Sequence, residues 1–106
     1  MVKKRPYQIT YAPIVKVNLR IIEPQYYSLI RKTIVEQLRY EPNIETKNRK
    51  PVQRPIDIGA KWELRFGPGN SFRVFYTVEN SAREVWILGI GVKKGERLNF
   101  GEKEEE

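Results

Sequence analysis

Two arginines, Arg65 and Arg73, are the strongest candidates for chemistry in a chain that has neither histidine nor cysteine. They lie in Lys61–Val78, KWELRFGPGNSFRVFYTV, where two alternating runs flank a Gly-Pro-Gly-Asn connection in the pattern of a half-buried β-hairpin. Setting Phe66 opposite Phe72 leaves a five-residue loop, pairs Leu64 with Val74 and Trp62 with Tyr76, and puts Arg65 beside Arg73 on the other face. Like charges directly opposite one another destabilise a sheet. A hairpin that keeps two guanidiniums together can be holding them for an anion. A register two residues away would separate them and leave ordinary solvent-facing charges.

Composition narrows the chemistry. Without histidine the usual proton shuttle at neutral pH is missing, so acid–base work falls to Lys, Tyr, Glu or the single aspartate, Asp57. Without cysteine there is no disulfide, thiolate metal site or Cys nucleophile, which fits the cytoplasm. The net charge is +7, but residues 102–106 carry four acids and one base, so residues 1–101 sum to +10. A body that basic favours a polyanion, RNA or DNA first. At 106 residues the chain has room for one domain, residues 1–101, followed by an acidic tail, 102–106, expected to be disordered. No apolar run approaches the roughly 20 residues of a membrane span, and the charged N-terminus has no apolar stretch behind it to make a secretory signal.

The hairpin needs elements to position it. Tyr7–Tyr11 alternates β-branched and aromatic residues and reads as a strand. Pro13 suits the first turn of a helix running to about Ile22, and Pro24 begins a second that ends near Tyr40. In the second, Tyr27, Ile30, Ile34 and Leu38 form an apolar stripe suited to packing on a sheet. Residues 43–59 form the longest irregular stretch and carry Arg49, Lys50 and Arg54; it reads equally as a solvated linker or a phosphate-contacting loop. Glu84–Val92, EVWILGIGV, is apolar on both faces and belongs inside the sheet. Its Gly89 and Gly91 share a face and suit the close approach of another element. Lys93, Lys94 and Arg97 follow as a basic cluster.

The stretches KWELRFG…SFRVFYTV and REVWILGIGVKKG, in order behind two helices, resemble the RelE/ParE family, toxins of bacterial and archaeal type II toxin–antitoxin pairs. The resemblance spans about residues 7–100. With the elements above, it implies an α+β fold: two N-terminal helices packed on one face of a four-stranded, mainly antiparallel sheet, in chain order β-α-α-β-β-β, with a cationic face opposite. RelE-like members cut mRNA within the ribosome; ParE-like members inhibit DNA gyrase without cutting nucleic acid; an antitoxin neutralises both. The resemblance makes Arg73 the stabiliser of the phosphoryl charge, Lys93 or Lys94 a phosphate clamp, and Lys61 a base among other cations. Arg65, Arg49, Lys50, Arg54 and Arg97 would bind RNA, and Phe100 would stack on a base. The chain departs from RelE in two places: Glu63 replaces a lysine, and Asn99 and Phe100 stand where RelE has a catalytic tyrosine. Phenylalanine cannot transfer a proton. The expectation is a ribosome-dependent mRNA endoribonuclease needing no cofactor or metal, with antitoxin, ribosome and mRNA as partners. The alternatives are a gyrase-type toxin or an inactive basic nucleic-acid-binding domain.

Overall fold

Alternation of apolar and polar residues decides the centre of the sheet. The computed structural model describes residues 5–53 and 58–101; the 102–106 tail lies outside them. Its elements are β1 (Gln8–Tyr11), α1 (Ile14–Asn18), α2 (Tyr27–Leu38), β2 (Arg49–Pro51), β3 (Trp62–Phe66), β4 (Phe72–Glu79), β5 (Glu84–Lys94) and β6 (Arg97–Asn99), with 3-10 turns at Leu19–Ile21, Pro24–Tyr26 and Pro68–Asn70. β3 and β4 pair in the expected register: Trp62 with Tyr76, Leu64 with Val74, Arg65 with Arg73, Phe66 with Phe72. Leu64, Phe66, Phe72, Val74 and Tyr76 are buried, in one core with Ile30, Ile34 and Leu38 of α2. The stripe on α2 is therefore Ile30, Ile34 and Leu38, while Tyr27 stays exposed and donates its hydroxyl to the Leu19 carbonyl.

The expected four-stranded sheet is corrected to six strands, ordered β1-β5-β4-β3-β2, with β6 also paired to β5. β1 runs parallel to β5 and all other pairings are antiparallel. β2 has no alternating pattern; it forms because side chains shape its approach. Thr46 Oγ1 accepts from the amides of Asn48 and Arg49, and Asn48 bonds the Arg65 backbone through both its carbonyl and its side-chain amide. Pro51 is tolerated there because β2 is an edge strand. β5 lies in the interior, as its two apolar faces require. A register shift between Phe75 and Tyr76 leaves Leu88 as an extra residue in β5, a bulge that lets Val85, Ile87, Ile90 and Val92 all turn to the helices.

Tyr76 ties this core to the segment after α2. Its buried phenol donates to the Pro42 carbonyl at 2.6 Å. Burial pushes its pKa far above the ordinary 10.0, and the nearby Arg49 charge lowers it only in part. An unfolded chain loses this proton near pH 10 while the folded chain keeps it, so above that pH the unfolded state binds fewer protons and stability falls as pH rises. In Tyr76→Phe this contribution vanishes. The drop in unfolding free energy, from urea titrations, between about pH 8 and about pH 11 should be smaller in the variant than in the wild type, by up to about 1.4 kcal/mol per pH unit above 10.

Candidate nucleic-acid interface

The residues that alternate away from the helices form an open face. Across it run Lys50 of β2, Lys61, Glu63 and Arg65 of β3 and its approach, Arg73 and Phe75 of β4, and Gly89, Gly91 and Lys93 of β5. The Gly67–Ser71 loop sets Arg73. Gly69 and Asn70 both take positive φ, and the Asn70 carbonyl accepts from Arg73 Nε at 3.1 Å. At Gly67 φ is +87°, and a Cβ would collide with the Phe72 ring, so only glycine fits where the chain leaves β3.

Glu63 resolves the repulsion between the arginines. Its Oε1 accepts from Arg65 Nε and Nη2 at 3.2 and 3.0 Å, and its Oε2 from Arg73 Nη1 at 3.2 Å. Glu63 and Arg73 side chains are each only 12% exposed, so this is no solvent-facing pair of negligible worth; Arg65, at 41%, leans outward. Arg73 is on the face away from the helices, as expected, but it is bound to an internal carboxylate. Among the described residues Arg65 Nη1 and Arg73 Nη2 have no partner. A phosphate could receive both without breaking the clamp.

Beside the arginines the face is apolar. Phe75 is buried on it because Phe100 packs against its ring at 5.5 Å. Phe100 also lies over Gly89 and Gly91, where a Cβ would come within 3.3 and 3.2 Å of its Cε1. The glycines thus admit the C-terminal segment. Asn18 holds that segment in place. β1 covers the outer edge of β5 at residues 84–87 and β6 at 92–94; in the gap, Asn18 Oδ1 accepts from the Ile90 amide at 2.9 Å and Nδ2 donates to the Phe100 carbonyl at 2.7 Å. One side-chain amide does the work of a missing strand. Nothing in the sequence marks Asn18 apart from its place at the end of a short helix.

Other candidates are dispersed. Lys61 is exposed and Lys93 half-buried, both on the open face. Lys94 and its partner Arg97 alternate to the opposite side at the far end of β5 and do not join the arginines. Lys50 is on the open face, 3.8 Å from Glu45 in an exposed ion pair. Arg54 lies outside the described residues. Arg49 is corrected outright. It is 7% exposed, with Nε on the Ile44 carbonyl at 3.0 Å and Nη1 on the Gln37 carbonyl. A cation bonded to a carbonyl in the last turn of α2 complements the negative end of the helix. Arg49→Ala should therefore cost roughly 1.5–3 kcal/mol of stability in urea titrations and leave RNA affinity unchanged within about twofold.

No protein-family model matches the sequence, and no curated protein matches it either. Among solved structures, a chain of the toxin–antitoxin complex RelBE2 from Mycobacterium tuberculosis superposes with a TM-score of 0.61, at 17% identity, over 83% of this chain and 99% of that one. The likeness is one of fold.

Proposed function

We propose that this chain is a RelE-like toxin of a type II toxin–antitoxin pair, acting in the cytoplasm, that binds RNA on the open face of its sheet and cuts mRNA on the ribosome. The observation that carries the reading is the correspondence of fold with a chain of the RelBE2 complex over nearly that whole chain. The arginine pair, with two N–H-bearing nitrogens on the open face that have no partner among the described residues, supports it. No helix among the described residues is long and apolar enough to cross a membrane.

In such a cleavage the 2′-oxygen attacks the adjacent phosphorus, the bond to the next nucleotide's 5′-oxygen breaks, and a 2′,3′-cyclic phosphate remains. Charge builds on the non-bridging oxygens, where Arg73 Nη2 and Arg65 Nη1 would donate. The 2′-hydroxyl proton goes to the Glu63 carboxylate, the acid set between these donors, and the 5′-oxygen takes its proton from Lys61 or Lys93. Phe100 contributes packing only.

A second reading, a gyrase-type toxin without nuclease activity, is favoured by one observation: Glu63 already occupies both guanidiniums. Induction in growing cells separates the two. The nuclease reading expects arrested translation and new mRNA 5′ ends at codon boundaries. Intact transcripts accompanied by DNA damage would replace it with the second reading, and unimpaired growth would remove both.

A further inference from the structure

The open face carries one large apolar side chain that the cleavage chemistry does not use. Trp86 of β5 alternates away from Val85 and Ile87, which are buried with the helices, and it is 38% exposed. Its register neighbours are Thr10 of β1 and Thr77 of β4, short side chains that leave the indole standing above the sheet. The ring's single hydrogen-bonding group is already used, since Nε1 donates to Glu84 Oε1 at 3.1 Å. Among the described residues no other aromatic ring stacks on it and no cation lies over it. What Trp86 offers a ligand is therefore π surface.

Its place on the face decides what that ligand is. Four residues of β4 separate the Arg73 row from the row of Thr77 and Trp86, roughly 13 Å at strand spacing. That is further than one nucleotide reaches. On the near side of Trp86 stand Lys61, Arg65, Arg73 and Lys93; just beyond it, Glu79 and Glu84 are paired directly across β4 and β5. A phosphate is drawn to the first group and repelled by the second, whereas a neutral base can lie between them. Phe100 does not compete for that base, because its ring is engaged by Phe75 and by the backbone at Gly89 and Gly91. We propose that Trp86 is the stacking platform for a nucleobase of single-stranded RNA, more than one nucleotide along from the phosphate at Arg65 and Arg73. The strand crosses the cations and stops short of Glu79 and Glu84. A duplex is refused, because its bases are already stacked on one another. The proposal rests on the RNA-binding part of the function proposed above and not on cleavage.

The test uses the full chain and a single-stranded 2′-O-methyl RNA of about ten nucleotides, which lacks the attacking hydroxyl and stays intact. The chain has two tryptophans, and Trp62 packs on Tyr76 at the helix side of the sheet. A Trp62→Phe background therefore makes Trp86 the sole reporter. The unlabelled strand should quench its emission, and a strand of the same length without bases should bind through the cations without quenching. In anisotropy titrations with a labelled strand, Trp86→Ala should weaken binding by about 5–100-fold and leave the salt slope unchanged, because no phosphate contact is lost. Arg65→Ala should instead lower that slope by about 1. Trp86→Tyr keeps a ring and should recover most of the affinity. Binding with unchanged Trp86 emission, equal quenching by the abasic strand, or unchanged affinity in Trp86→Ala would each overturn the proposal and leave RNA binding standing. A chain that binds no RNA would remove the proposal and the RNA-binding reading together. The quenching measurement keeps Trp86 in place, so it decides the matter whether or not Trp86→Ala folds.

Discussion

On the nuclease reading, Arg73→Ala is expected to reduce mRNA cleavage by about 10²–10³-fold, the usual effect of removing one preorganised donor from a developing oxyanion. The fold should survive, because Glu63 keeps two bonds from Arg65 at 3.2 and 3.0 Å. Loss of the bond to a largely buried carboxylate should lower stability by roughly 1.5–3 kcal/mol, and loss of the exposed bond to the Asn70 carbonyl should add less, a shift readable by thermal melting and far too small to explain the loss of cleavage. Arg73→Lys restores the charge without the planar fork and should recover only part of the rate. Glu63→Gln makes the contrast sharper. It keeps an acceptor for the guanidiniums but removes the negative charge and the base, so RNA should bind more tightly, with a steeper salt dependence, while being cleaved about 10²–10⁴-fold more slowly. If Glu63→Gln cleaves as fast as the wild type, the carboxylate is a clamp and nothing more. If Arg73→Ala cleaves normally, the open face is not the site.

The second large effect is structural. Asn18→Leu keeps the number and branching of the side-chain heavy atoms but leaves the Ile90 amide and the Phe100 carbonyl without their partners. Each orphaned buried group costs roughly 1–3 kcal/mol. For a domain of this size every kcal/mol lowers Tm by roughly 4 °C, so a fall on the order of 10–20 °C is expected if both penalties apply. The loss should be uneven. Amides of residues 97–101 should lose hydrogen-exchange protection first, because Asn18 links that segment to β5, whereas the β3–β4 amides should keep theirs until global unfolding. Asn18→Asp preserves only the acceptor and should be intermediate at best, since an added charge is placed against the Phe100 carbonyl.

The hairpin was legible because its pattern has period two, which fixes the faces but leaves a shift of two residues open; setting Phe66 opposite Phe72 selected the observed register, and the Arg65–Arg73 juxtaposition followed. The same alternation placed Glu63 on the arginine face, but alternation cannot say that a carboxylate will lie between two guanidiniums rather than turn to solvent. β2 was not legible, since Arg49-Lys50-Pro51 has neither alternation nor β-branched residues and depends on bonds made by Thr46 and Asn48. Arg49 misled for a related reason. A basic residue in a proline-rich loop resembles a phosphate ligand until the carbonyls at the end of α2 are seen to claim it. β6 is three exposed residues held by the strand it joins. Gly89 and Gly91 announced a close approach, yet only the fold shows that the visitor is Phe100. The bulge at Leu88 hid in a run apolar on both faces, where an extra residue changes no visible pattern.

β1 pairs Gln8 with Glu84 and Tyr11 with Ile87. As the chain leaves a ribosome, its first strand therefore has nowhere to dock until most of the remaining sequence has been made, and the last strands must emerge before that edge can close. Contacts of such long separation form slowly. A nascent copy would therefore keep β1 without a partner strand until β5 has emerged, so the edge closed by the earliest residues is among the last parts of the sheet to form.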